Sequence, residues 1–187
     1  KSSVKNALFN YYKEVMVVRG NYKVIWCFDD GSHSGIEVEF EQNKGKLYHL
    51  KYFLKDSKEF LVVATTRPET YFGDTAVMVH PEDERYKHLL GKTVVLPLIG
   101  REIEIIADEH VDMSFGTGCV KVTPAHDIND YEVGKRHNLE FITIFDSNGI
   151  LNDYCGQFKG LERLEARAPI MAKLQSEGFV DKVEDYE

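Results

Sequence analysis

Apolar and polar positions alternate in short runs along most of this chain, and turn residues separate the runs. In residues 36–41, Ile36, Val38 and Phe40 alternate with Glu37, Glu39 and Glu41, the signature of a half-buried strand with an acidic outer face. A turn at Asn43-Lys44-Gly45-Lys46 follows, and residues 47–54 return as the second arm of a hairpin. Residues 59–65 are almost continuously apolar, which predicts a buried central strand that delivers Thr65, Thr66 and Arg67 to its end, where Pro68 stops it. Residues 15–19, 22–28, 74–80, 93–96, 103–107, 141–145 and 179–183 also read as β, the fourth and fifth of these pairing around a turn at 97–100. Helical periodicity is confined to a few stretches. Residues 160–178 place Leu161, Leu164, Ala168, Met171 and Leu174 near a 3.6-residue period, with Gly178 as the stop and Pro169 inside as an expected kink. Residues 81–90 put acids first and bases last before Gly91, a short helix with a solvated charged face, and residues 1–14 have spacing for one or two turns. About nine strands and three helices predict an α+β chain whose mixed sheet closes, or nearly closes, into a barrel.

Chemistry is concentrated between Phe115 and Gly134. Gly116 and Gly118 permit positive φ or a close backbone approach. In the strand that follows, Lys121 and Thr123 share one face, with Val120 and Val122 on the other, buried side. After Pro124, Asp127 or Asn129 caps a helix running to about His137, and Asp127 and Asp130, three apart, share its first turn. A strand end and a helix start thus bring an ammonium, a hydroxyl and two carboxylates to one gap. The spacing alone fits equally well a plain strand–turn–helix whose aspartates only cap and whose lysine is solvated. Upstream, an arginine closing a buried strand calls for an anion.

Two motifs carry a resemblance. Thr65-Thr66-Arg67-Pro68-Glu69-Thr70, together with Lys121-Val122-Thr123-Pro124-Ala125-His126-Asp127 and Asp130, closely resembles the editing domain inserted in class I aminoacyl-tRNA synthetases for valine, isoleucine and leucine. The following Gly134-Lys135-Arg136-His137-Asn138-Leu139 is similar to the valine type in particular. The leucine enzymes usually carry Asp where Glu69 stands and lack the Lys-x-Thr pair, and the isoleucine enzymes usually replace Arg-Pro-Glu. Gly35 departs from the pattern, which usually has an acid there. The family fold is a β-barrel-like α+β domain with a few peripheral helices, in agreement with the strand count.

Composition bounds the rest. With 187 residues, 43% hydrophobic and 29% charged, the chain is expected to form one editing domain over residues 1–187 with a real core. A formal net charge of −8 is unfavourable for holding a polyanion unaided. Cys27, Cys119 and Cys155 are too scattered for a disulfide framework or a zinc motif, so no metal and no cofactor is expected, and a reducing, cytoplasmic setting fits. His33 reads as a solvated loop residue with no second His or Cys nearby. No apolar run is long enough to span a bilayer, so no membrane partner is expected. The start at Lys1 and the missing His-x-Gly-His and Lys-Met-Ser-Lys-Ser signatures lead to an expectation that this is an excised, monomeric piece of a larger synthetase, with ATP binding and aminoacylation elsewhere.

What the resemblance implies is a deacylase that hydrolyses threonine from the 3′ end of mischarged tRNA(Val), with threonyl-adenylate as a second possible substrate. Asp130 then grips the α-ammonium, while Asp127, Lys121 and Thr123 read the threonyl hydroxyl and orient water, their division of labour left open. Thr65, Thr66, Arg67 and Thr70 line the opposite wall, and Phe115, with Gly116 and Thr117, meets the terminal adenine. His126 is placed with the substrate-binding residues, as either a general base or a structural residue. Cys119 reads as a wall residue in preference to a covalent nucleophile. The rival readings are clearance of a different amino acid by the same fold, and a silent insertion that only docks tRNA.

Overall fold

The structure, a computed structural model, describes residues 2–16, 24–27, 30–33 and 44–186. Helix α1 (Ser2–Lys13) comes first and has no buried residue. Val15 and Met16 close it in a turn instead of opening the expected strand. The remainder of that strand, the strand expected at 36–41, its turn up to residue 43, and Gly35 lie outside the described residues. A short hairpin, β1 (Ile25–Cys27) and β2 (Gly31–His33), follows. It brings Cys27, Asp30 and His33 together with potential ligand atoms all within 4.8 Å of one another. That corrects the reading of His33 as a histidine with no thiol nearby: chain reversal supplies a neighbour that linear spacing hides.

The main body is a seven-stranded mixed sheet. Strand β3 (Gly45–Leu54) pairs along one flank with β4 (Phe60–Thr65). Its other flank is shared between β9 (Val180–Tyr186) and β6 (Thr93–Val95). The path continues through β7 (Glu102–Ala107) and β5 (Ala76–Val79) to β8 (Cys119–Val122). β5 runs parallel to β7 and antiparallel to β8. β4 and β8 are the two ends of this path, and the Thr117 hydroxyl donates to the Val62 carbonyl at 2.7 Å across the gap, so the sheet is nearly closed into a barrel. β4 therefore ends the path and is not a central strand, and Phe60 at its start is exposed.

β5 explains why the core holds together. All four of its residues are buried, because both of its faces are covered. Val77 and Val79 belong to the larger core, with Tyr52, Tyr71, Phe72 and Ile105 and with Ala166, Ile170 and Leu174 of helix α3 (Arg163–Ser176). Ala76 and Met78 point the other way into a second cluster with Ile106, Val122 and Val133, the last from helix α2 (Ile128–Arg136). α3 contains Pro169 within its length. Two other expectations fail. Residues 81–90 form turns and a 3-10 segment, Lys87–Leu89, where an α-helix was expected, because Asp83 spends its carboxylate on Arg85. Residues 141–145 make no strand beyond a bridge at Phe145, although Ile142 and Ile144 are buried, since Ile144 N donates to the His126 ring at 3.0 Å in place of a neighbouring strand.

The acid of the Thr-Thr-Arg-Pro-Glu-Thr motif has a structural task. Glu69, in the 3-10 segment Pro68–Gly73, has its side chain 2% exposed and accepts from Arg167 Nε at 2.7 Å and Nη2 at 2.8 Å. This bidentate pair ties the end of β4 to α3. Arg167→Ala is expected to lower unfolding free energy by about 2–3 kcal/mol, somewhat less than a fully buried pair because the guanidinium is partly solvated; urea denaturation of the variant checks it, and an unchanged midpoint would refute the anchoring role.

Candidate active site

A cavity of about 840 Å3 opens where the two ends of the sheet path meet. Several pieces of chain build it. The exit of β4 contributes Thr65, Thr66 and Arg67, and the 3-10 segment adds Thr70. The loop before β8 contributes Phe115, Gly116 and Thr117, and β8 itself contributes Val120 and Lys121. The first turn of α2 adds Asp127, Asn129 and Asp130. Facing these, β3 and β9 supply His49, Lys182, Glu184 and Tyr186.

The loop geometry is set by two glycines. Gly116 and Gly118 have φ of 58° and 74°, and a Cβ on Gly118 would lie 2.5 Å from Arg85 Nη2. Arg85 Nη2 donates to Asp83 and to the Met113 carbonyl, so a side chain at Gly118 would displace those bonds.

Asp127 is the N-cap of α2, its Oδ1 accepting from the amides of Asn129 at 2.9 Å and Asp130 at 3.3 Å. Its Oδ2 is free to take Arg67 Nη2 at 3.2 Å, and the same nitrogen donates to the His126 carbonyl at 3.1 Å. Arg67 has its anion, but its side chain is 46% exposed, so the guanidinium is not desolvated as a strand-end arginine was expected to be. Asp130 is buried and accepts from the Thr123 amide through Oδ2 at 2.8 Å. Burial raises its pKa above the ordinary carboxylate value, opposed by that amide and by the charge of Lys121.

Lys121 is far from solvated, its side chain being 11% exposed. Its Nζ meets Asp74 Oδ1 at 3.1 Å, Thr123 Oγ1 at 2.5 Å and Thr70 Oγ1 at 3.4 Å. The structure thus brings Thr65, Thr66, Arg67, Thr70, Phe115, Gly116, Thr117, Lys121, Asp127 and Asp130 onto one cavity. Thr123, 1% exposed, lies beneath Lys121 and not on the wall. His126 does not border the cavity either: its Nε2 accepts from Ile144 N, and Phe145 packs edge-on against its ring. The imidazole is occupied in holding the 142–145 segment, which corrects its assignment as a substrate-binding residue.

Comparison with known proteins bears on the same residues. A model of the leucyl-tRNA synthetase editing domain matches residues 87–155. A valine–tRNA ligase of Wolinella succinogenes is 67% identical over 187 residues, all of this chain and 21% of the relative. One from Thermotoga maritima is 54% identical over 185 residues, covering 98% of this chain and 21% of the relative. The chain belongs to the editing domains of valyl-tRNA synthetases. It spans about a fifth of the length of the curated relatives it matches. In fold, it is similar to the LeuRS in a ternary LeuRS–tRNA–LeuAMS complex from Agrobacterium radiobacter, with a TM-score of 0.57 at 22% identity over 77% of this chain and 20% of that one.

Within this editing domain, sequence reasoning missed Asp74 and the β3–β9 wall. Asp74 left a signal, a carboxylate amid the apolar run Tyr71-Phe72-Gly73-Asp74-Thr75-Ala76-Val77. His49 and Glu184, joined at 2.8 Å, are 135 residues apart and left none. Val120 was expected to be buried beside Val122; it is 39% exposed and lines the cavity. Cys119 is a core residue and not a wall residue. Burial pushes its thiol up to about 11, which removes the thiolate a covalent mechanism needs.

The raised pKa of Asp130 has a stability consequence. The native state holds a proton on this carboxyl more tightly than the unfolded chain does. The stabilisation from protonation is complete below the ordinary carboxylate range and is lost as pH rises through the raised native value. Asp130→Asn keeps an oxygen for the Thr123 amide and removes the buried charge. It is expected to be more stable than the parent at pH 7 and to lack this loss between acid and neutral pH; parallel urea titrations of both proteins check this.

Proposed function

We propose that this editing domain hydrolyses the ester linking threonine to the 3′ end of tRNA(Val), and acts on threonyl-adenylate as well. The observation that carries the reading is the convergence of Lys121, Asp127 and Asp130 with Thr70 on one cavity, which has room for an aminoacyl group and part of a nucleoside. Threonine and valine are near isosteres, so an apolar synthetic pocket cannot separate them well; valyl-tRNA synthetase against threonine is the standard worked case, about 10², and not a value obtained from this chain. A second site must therefore recognise the hydroxyl.

Asp130 is the ammonium ligand in this reading. A carboxylate already partly desolvated gains most from a cation, and the arriving α-ammonium lowers its pKa and keeps it ionised. Lys121 and Thr70 face the threonyl hydroxyl or the ester oxygen. Water attacks the ester carbonyl, the bond from carbonyl carbon to ribose oxygen breaks, and the ribose oxygen leaves with a proton. An activated ester needs positioning and electrostatic stabilisation more than a nucleophilic dyad. Phe115, 76% exposed at the rim, offers its ring to the terminal adenine, and Arg67 stands on the ribose or phosphate side. The domain works as a monomeric part of a larger, cytosolic synthetase that holds the tRNA and performs ATP-dependent aminoacylation.

The test is single-turnover deacylation with the chain in excess over threonyl-, valyl- and isoleucyl-tRNA. Threonyl ester should be cleared fastest, and Asp130→Ala should lose clearance by about 10²-fold or more while its circular dichroism is unchanged. Equal turnover of the three esters, or normal turnover by Asp130→Ala, would overturn the assignment. Cys119→Ala should retain hydrolysis; its loss would reinstate a covalent route.

A further inference from the structure

Asp74 sits where the 3-10 segment meets β5, fully buried; its amide donates to the Tyr71 carbonyl, and its carboxylate accepts from three side chains. Tyr52 donates its hydroxyl to Oδ2 at 2.7 Å. Thr123 donates its hydroxyl to Oδ1 at 2.6 Å, and Lys121 reaches the same oxygen at 3.1 Å. These bonds impose a direction on the rest. With its proton committed to Asp74, Thr123 has only a lone pair to offer Lys121. Thr70 is committed in the same way, since it donates to the Arg67 carbonyl at 2.9 Å. An ammonium has three protons and no lone pair. Two of those of Lys121 are held by Asp74 and Thr123, and the third has only the 3.4 Å contact with Thr70, on the cavity wall.

We propose that Asp74 is a positioning residue of the site: its carboxylate orients Thr123 and holds Lys121 so that one ammonium N–H remains aimed at the cavity for a substrate oxygen. The inference rests on the deacylase reading above and adds a residue that never meets substrate. An approaching oxygen has only the long Thr70 contact to displace, while the two bonds below keep the ammonium from following it. Without the carboxylate, Thr123 is free to turn its proton toward Lys121, and the lysine loses its counterion in a largely buried position.

The experiment is a double-mutant cycle on threonyl-tRNA(Val) hydrolysis by the chain. Asp74→Asn is expected to lower the single-turnover rate at saturating protein by about 10²-fold with little change in half-saturation. Because Asp74 acts through Lys121, Asp74→Asn/Lys121→Ala should be no slower than Lys121→Ala alone. Losses that multiply, or an Asp74→Asn rate within twofold of the parent, overturn the proposal. Tyr52→Phe removes the other bond to Asp74 away from the lysine; it should lower the melting temperature yet keep the rate within twofold, and a comparable rate loss there would mean that Asp74 matters only for packing. If Asp74→Asn does not fold, Asp74→Leu/Lys121→Met, which removes both charges, is compared with Lys121→Met, and any further loss refutes the positioning role.

A second readout is independent of turnover. In nitrogen-15 lysine spectra at one fixed neutral pH, the Lys121 ammonium signal should be protected from solvent exchange in the parent, where Asp74 and Thr123 hold two of its protons, and should be lost to exchange in Asp74→Asn. An unchanged signal in Asp74→Asn overturns the proposal even if hydrolysis falls. A parent chain that leaves threonyl ester intact would end the deacylase reading, and the exchange measurement would still decide whether Asp74 governs Lys121.

Discussion

A largely buried ammonium and a fully buried carboxylate organise this domain. Lys121 comes from β8 and Asp74 from the entry to β5, and neither can be buried without the other. In a low-dielectric interior the cost of desolvating each charge is several kcal/mol, and mutual attraction offsets it only when the remaining lone pairs and protons are also satisfied. Tyr52 and Thr123 satisfy them. The register of β5 against β8, with Val77 opposite Lys121, is what brings Asp74 and Thr123 to the same end of the sheet. A slip of one residue would turn Lys121 to the other face, into the apolar cluster of Met78, Ile106 and Val133, where no anion waits.

Stability and chemistry pull in opposite directions around this pair. Burial raises the pKa of both Asp74 and Asp130, so each costs the fold something at neutral pH. Asp74 recovers part of that cost from Lys121 and two hydroxyls. Asp130 has an amide and a more distant lysine, and is left under-compensated on the cavity. A carboxylate in that condition is primed for a cation. The surrounding scaffold tolerates it because the apolar packing of β5 and α3 and the Glu69–Arg167 anchor lie elsewhere.

The strong local signals in the sequence survive in the fold. Residues 93–107 form the expected hairpin, α2 starts on the expected aspartate, and α3 and β9 lie where periodicity put them. The candidate site was legible because two motifs each occupy a contiguous stretch, so strand exit, glycine loop and helix cap could be read locally. What could not be read depended on partners distant in sequence. The ring of His126 was left open between chemistry and structure because nothing in its neighbourhood reveals that the amide of Ile144 needs an acceptor. Residues 141–145 have strand composition but find no strand beside them. Glu69 carries the motif and yet faces Arg167, 98 residues away, on the side opposite the cavity.

Charge bears on the reaction proposed for this acidic chain. A formal net charge of −8 repels a phosphate backbone and leaves counterion release a weak driving force. The cavity itself mixes Arg67, Lys121 and Lys182 with Asp112, Asp127, Asp130, Asp181 and Glu184, so carboxylates outnumber cations on its wall. Such a wall favours the one positive group that an aminoacyl ester carries, its α-ammonium, over the phosphates that follow it. On the proposed deacylase reading, recognition by the domain is concentrated in the amino acid and the terminal nucleoside, and grip on the polyanion falls to basic surface outside these residues. That division suits proofreading: a pocket that bound the nucleic acid tightly would hold correct and incorrect esters alike, whereas one that responds mainly to the amino acid lets the correct product leave.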